Sequence, residues 1–160
     1  VRDTPELLPI APFVHLRYST AEAPNTVQYR DPLTGRRVDI QQEMLAIAMS
    51  RIADTSHVDS VVSDGRSLPF DDGSFDAILL AAVIGELPDP EVLLRECARV
   101  LAPGGTVTVV ETRRDSDFIR RRELVAMMKS VNLLESAVHG NQWEYTINFT
   151  AAASRPPQSA

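Results

Sequence analysis

The chain has 160 residues, 44% of them hydrophobic and 24% charged, and a formal net charge of −6. That length and balance suit one globular domain and exclude a collagen repeat, a coiled coil, a disulfide scaffold and a membrane span. The acidic balance also disfavours nucleic acid as the main partner, because a duplex-binding module carries a basic face.

In chain order, the first feature is where the turn residues fall. The chain has 11 Pro and only 7 Gly. Residues 1–34 hold Pro5, Pro9, Pro12, Pro24 and Pro32, and no Gly. Proline fixes φ and removes a backbone donor, so this stretch reads as extended or irregular chain, with Phe13–Tyr18 its one strand-like run. Leu7–Leu16 is apolar, but Pro9 and Pro12 interrupt it and no small-residue cleavage site follows, so no signal peptide is read there.

From Val38 the pattern sharpens. Val38-Asp39-Ile40 ends a short strand, and Gln42–Ala53 reads as a helix with Met44, Leu45, Ala48 and Ile52 on one face. Val58–Ser63 reads as a strand. Asp76–Val83 is nearly all apolar, as expected of a strand buried on both faces of a parallel sheet. Asp89 is placed to cap a helix that has Pro90 at its first position, followed by the apolar stripe Leu93, Leu94, Cys97, Val100 and Leu101. Cys97 lies in that stripe and reads as a core residue, and a single Cys fits a reducing, cytoplasmic setting. Pro103-Gly104-Gly105 is expected to stop this helix and turn the chain into the strand Val107–Glu111. A last helix is predicted over Asp117–Val131, with Leu124, Val125 and Met128 inward, ending at Asn132. Leu133–Val138 and Trp143–Thr150 then form a hairpin, in which Trp143, Tyr145, Ile147 and Phe149 alternate with polar residues. Arg113, Arg114 and Arg120-Arg121-Arg122 form the one basic cluster, read as a solvated face. Alternating strands and helices closed by a reversed edge strand predict a three-layer α/β sheet.

In open α/β sheets, ligands bind at the carboxyl ends of the strands. Asp39 ends its strand and can accept hydrogen bonds from two vicinal hydroxyls; it can equally cap the helix that follows. Asp64 can accept from an exocyclic amine, with Gly65 leaving room for a flat ring, or it can be a turn residue in Ser63-Asp64-Gly65. His15, His57 and His139 show no ligand spacing, so no metal is expected.

Four segments carry a resemblance: Val38–Leu45, Ser63–Phe70, Asp71–Asp76 and Arg99–Gly105. Together they resemble the class I S-adenosylmethionine-dependent methyltransferases, small-molecule branch, over about residues 37–150. The linked pattern Leu68-Pro69-Phe70, Gly73-Ser74-Phe75-Asp76 and Arg99-Val100-Leu101 is the specific part. The resemblance implies a Rossmann-like sheet, mostly parallel with an antiparallel C-terminal hairpin strand and N-terminally incomplete. It implies S-adenosylmethionine as cofactor and methyl transfer to a small molecule in the cytoplasm, with neither membrane nor nucleic acid as partner. It assigns Asp39 to the ribose hydroxyls, Ile40 to the adenine face, Asp64 and Gly65 to the adenine amine and a backbone contact, and Ala81 and Ala82 to the methionine moiety. Glu86 falls near the acceptor.

The family opens with an acidic strand and a Gly-rich loop; the corresponding window, Val14–Pro24, has no Gly, and Arg17 stands near the place of the acid. The first strand of this fold is central, and losing it would leave two unpaired edges inside the protein. Either Phe13–Tyr18 fills that slot, or a second copy or partner subunit completes the sheet, or the chain is a fragment. The expected organisation is an irregular segment at 1–36 supplying one strand, a methyltransferase-like domain at 37–150 and a disordered tail at 151–160. A non-catalytic binding module on the same fold is the alternative function. A nicotinamide dehydrogenase fits less well, because G-x-G-x-x-G is absent.

Overall fold

The computed structural model describes residues 13–16, 35–39, 41–50 and 58–152. Seven strands form one sheet: β1 (Phe13–Leu16), β2 (Gly35–Asp39), β3 (Val58–Val62), β4 (Phe75–Ala81), β5 (Leu101–Thr112), β6 (Leu133–Gly140) and β7 (Glu144–Ala151). Their order is β3-β2-β1-β4-β5-β7-β6. The first five run parallel, and β7 is antiparallel to both β5 and β6. The reversed strand is therefore one place in from the edge, not at the edge as its position in the sequence suggested. A hairpin following a crossover helix can insert its second strand beside β5, and that is the arrangement here.

β1 settles the question of the central slot. Val14 pairs with Arg36 on β2 and with Ile78 on β4, and Leu16 with Val38 and Leu80. Arg17 and Tyr18, expected in the same strand, lie outside the described residues, as do Ile40, Ile52 and the predicted end of the first helix.

Among the described residues three α-helices flank the sheet: α1 (Gln42–Ser50), α2 (Pro90–Val100) and α3 (Arg121–Ser130). Parallel crossovers are right-handed, which sends α1 to one face of the sheet and α2 and α3 to the other. Leu45 of α1 is buried. On α2 the predicted Leu93, Leu94, Cys97 and Val100 are all buried, whereas Leu101, also buried, already belongs to β5. Leu124 and Met128 are likewise buried on α3, and Tyr145, Ile147 and Phe149 on β7.

Four local expectations change. Asp89 makes no side-chain capping bond; Pro90 alone sets the start of α2. The helix ends at Val100, before Pro103, because Leu101 is already extended and pairs with Phe75. The next pair is Ala77 with Thr106, so Pro103-Gly104-Gly105 is a bulge within β5. The last helix starts at Arg121 and not at Asp117, because residues 113–117 turn and dock elsewhere. Trp143 precedes β7 and is 48% exposed, with the Arg113 guanidinium 4.2 Å above its ring.

Candidate functional site

The parallel strands share one carboxyl edge, and the sequence-predicted residues fall along it. Asp39 is the last residue of β2 and is in register with Val62, the last of β3. Asp64 and Gly65 follow two and three residues later. Ala81 ends β4 in register with Val110 of β5, and the Ala82 N–H donates to the Val110 carbonyl at 3.0 Å. Ala82 has φ +51, so the chain turns sharply off the sheet there. β1 leads outward to β2, whereas β4 leads the other way to β5. The crevice between β1 and β4 is thus the topological switch point, where ligands of such sheets bind. The Asp39 side chain and all of Ile40 lie outside the described residues.

The Asp64 turn is braced from within. Ser63 Oγ accepts the Gly65 N–H at 3.2 Å, and Asp64 Oδ1 accepts the Arg66 N–H at 3.0 Å. Gly65 has φ +76, and a Cβ there would come within 3.0 Å of Leu93 Cδ1. A side chain at this position would be strained by its backbone and crowded by α2. The turn reading and the binding reading of Asp64 are both compatible with this geometry, because its carboxylate remains exposed, with Oδ2 held only by an ion pair to Arg66 Nε at 3.9 Å.

The most specific part of the sequence pattern is a clamp outside the crevice. Arg99 on α2 donates to the carbonyls of Leu68 at 3.0 Å and Phe70 at 2.8 Å, and to Asp72 at 2.7 Å and Glu96 at 2.7 Å. Glu96 in turn accepts the Leu68 N–H at 2.8 Å. The Arg99 guanidinium beside Glu96 holds its carboxyl below the usual carboxylate range, against the opposing effect of burial. Phe70 meets Phe75 edge-on at 4.9 Å. These residues fix the loop between β3 and β4 to the body of the protein.

On the other side of the switch point the structure assembles a group of acids that sequence reasoning passed over, apart from Glu86. Glu86 closes a turn of 3-10 helix (Ile84–Glu86) directly after β4. Glu111 lies near the end of β5, on the inward phase of an alternation through Val107 and Val109, and is 2% exposed. Burial pushes its carboxyl up to about 7; the backbone hydrogen bond with Ile119 opposes this, and the charges of Asp115 and Glu86 add to it. Tyr145 stands beside it, its hydroxyl donating to the Ile119 carbonyl at 2.6 Å, and burial followed by the Glu111 and Glu123 charges raises the phenol. The signal that could have revealed Glu111 was an acid continuing the buried phase of a strand at its carboxyl end. Cys97 is an inert core thiol, pushed up to about 12 by burial. Of the basic cluster, Arg121 pairs with Glu135 at 2.7 Å and Arg113 stacks on Trp143, so these two are not aimed at a common anion.

Comparison with known proteins now bears on this edge. A family model described as a methyltransferase domain matches residues 25–109, more than half of the chain. Over 75 residues the chain is 37% identical to the demethylmenaquinone methyltransferase of Staphylococcus aureus, a stretch covering 47% of this chain and 31% of that protein. The match thus spans about a third of the length of the curated relative. A SAM-dependent methyltransferase from Aquifex aeolicus superposes with a TM-score of 0.69 at 13% identity, covering 87% of this chain and 81% of the other. A Haloferax volcanii methyltransferase, solved in complex with a methyltransferase activator, gives 0.67 at 18% identity over 89% and 83%. At such identities the structural likenesses concern the fold. Among the described residues, no helix is long and apolar enough to cross a membrane.

Proposed function

This chain belongs to the class I S-adenosylmethionine-dependent methyltransferases, and from that premise we propose that it binds S-adenosylmethionine at the carboxyl edge of β1–β4 and methylates a small molecule held beside β4 and β5. What supports this reading is the backbone position of Asp39 at the end of β2 and of Asp64 just after β3, neighbouring parallel strands on one side of the switch point, with the small residues Ala81 and Ala82 on the other. That donor set suits adenosine: acceptors for ribose hydroxyls and an exocyclic amine, and little side-chain bulk where the rest of the cofactor would lie. In this reading Asp39 holds the ribose, Ile40 covers the adenine, Asp64 and Gly65 receive its amine edge, Ala81 and Ala82 border the methionine portion, and Glu86 faces the acceptor.

When bound, the cofactor supplies a methyl group already activated on a sulfonium sulfur. The chain's own task is to hold the acceptor in line and exclude water, which supplies much of the rate. Residues 37–150 hold most of the methyltransferase domain; residues 1–36 lend it β1 and the start of β2, and the tail expected from residue 151 cannot begin there, because β7 runs to Ala151 and the Ala152 N–H donates to the Asn132 carbonyl at 2.9 Å. A cytoplasmic location fits the single buried thiol. Calorimetry with S-adenosylhomocysteine tests the reading: binding is expected, weakened about tenfold or more by Asp39→Ala, which removes charge-assisted bonds. Equal affinity of both proteins would overturn it.

One observation favours a second reading. Residues 1–34 contain no Gly, so the loop after β1 lacks the residue type that lets a backbone approach a cofactor closely. A fold retained for binding, or completed by a second copy or an activating subunit, would then take up no cofactor as the isolated chain and would take it up in the presence of that partner.

A further inference from the structure

The segment between β5 and α3 runs past the carboxyl edge and is fastened there at three successive residues. The Asp117 carbonyl lies so close to Gly85 that a Cβ at Gly85 would overlap it. The Phe118 ring meets the Tyr145 ring edge-on at 5.8 Å. At Ile119 both backbone groups are held by side chains of the sheet. Its carbonyl accepts the Tyr145 hydroxyl at 2.6 Å, and its N–H donates to the Glu111 carboxyl. Glu111 and Tyr145 are paired across β5 and β7, so their side chains share one face of the sheet and reach the same residue.

The core needs no acid at this place. Val107 and Val109 precede Glu111 on the buried phase of β5, and Glu111 is itself 2% exposed. A valine would continue the core, and a glutamine would accept the Ile119 N–H without ever carrying charge. The carboxyl instead has one oxygen, Oε1, with no hydrogen-bond partner, where buried acceptors are ordinarily satisfied. Ionised, it is a buried charge with that oxygen unmet, and its surroundings oppose it. They are the Tyr145 phenol on β7, Glu86 in the turn after β4 and Asp115 in the loop itself; Glu123 of α3 acts on Tyr145 in turn. No basic side chain among the described residues offsets these acids at Glu111: Arg113 lies over Trp143, and Arg114 is exposed.

We propose that Glu111 and Tyr145 form a proton-dependent latch on this loop: the neutral carboxyl and the phenol together hold Ile119, and ionisation of Glu111 loosens residues 113–119 from the sheet. A glutamate in water ionises near 4.5, whereas burial raises this one to about 7; the Asp115 and Glu86 charges add to the rise and the Ile119 bond opposes it. Between those two values only the latched form keeps the proton. The latch is therefore complete below 4.5 and weakens as pH rises to about 7, by up to about tenfold per pH unit. The latch itself stands on the fold. Its consequence rests on the reading above, which places the methyl acceptor beside β4 and β5: on that reading the loop borders the acceptor, and the latch sets how readily the acceptor enters.

Amide hydrogen exchange of the full, isotope-labelled chain, followed by NMR as a function of pH, tests this. It needs neither cofactor nor acceptor, so its failure is separate from a failure of the cofactor assignment. After correction for the intrinsic pH dependence of exchange, protection of the Ile119 amide is expected to fall about tenfold or more between about pH 5 and about pH 7. Glu111→Gln, which keeps an acceptor but cannot ionise, is expected to give a level profile over that range. Tyr145→Phe is expected to lower Ile119 protection at every pH while keeping the slope. The Gly73 amide, bonded to the Arg99 carbonyl in another loop, is expected to show no such change. The carboxyl carbon shift of Glu111 in the parent needs no variant, and its expected midpoint is about 7 and not 4.5. Ile119 protection that stays level in the parent, the same slope in Glu111→Gln, or a Glu111 midpoint at the ordinary value would overturn the proposal.

Discussion

Arg99 is the charged side chain that holds the loop between β3 and β4 to α2. Its guanidinium satisfies two backbone carbonyls and two carboxylates, so Arg99→Ala leaves the Leu68 and Phe70 carbonyls without that donor. Hydrogen bonds involving a charged group contribute about 1.5–3 kcal/mol, and partial exposure moderates the sum, so the variant should lose about 2–3 kcal/mol in denaturant titration. A loss under 0.5 kcal/mol would show that the loop holds without its clamp. The same pair sets a pH dependence. Glu96 titrates below its ordinary value of 4.5 in the folded chain. Its contribution is therefore complete above that value and is lost as pH falls through the lower folded value. The acid limb of a stability profile should flatten in Arg99→Ala. Asp89 gives the opposite case. It has the sequence position of a cap and makes no capping bond, so Asp89→Ala should change stability by under about 0.5 kcal/mol, against about 1 kcal/mol for a working cap.

At the scale of elements, legibility followed burial. β4, α2 and β7 could be read from sequence because each has a period that only one environment satisfies: both faces buried, one helical stripe, or one face of a sheet. Pro103-Gly104-Gly105 misled because a bulge inside a strand and a stop after a helix use the same residues. The start of α3 misled because the backbone at Asp117 is held against Gly85, a contact between distant segments with no local signature. The same reason hid the acids. Asp115 and Asp117 mean little in sequence and join Glu86 only when the β4 and β5 loops meet. The positions of Asp39 and Asp64 at strand ends were legible because the ends of parallel strands are predictable places, although the turn around Asp64 would be needed even without a ligand.

For the whole molecule, Phe13–Leu16 of the first segment is part of the sheet. β1 is hydrogen-bonded on both sides, to β2 and to β4. Without it the sheet would divide into β3-β2 and β4-β5-β7-β6. Val14→Pro, which removes a backbone donor and constrains φ in the middle of a central strand, should cost at least about 3 kcal/mol. Unchanged cooperative unfolding would mean that the domain stands without β1. β1 thus fills the central slot of the sheet, while residues 17–34 that follow it contain no glycine, and the two facts pull in opposite directions for function. Calorimetric titration of the isolated chain with S-adenosylhomocysteine decides between them. Saturable one-to-one binding that Asp39→Ala weakens about tenfold or more is the expected result. No heat from the folded chain, or the same affinity in both proteins, would contradict the assignment of this edge as a cofactor site.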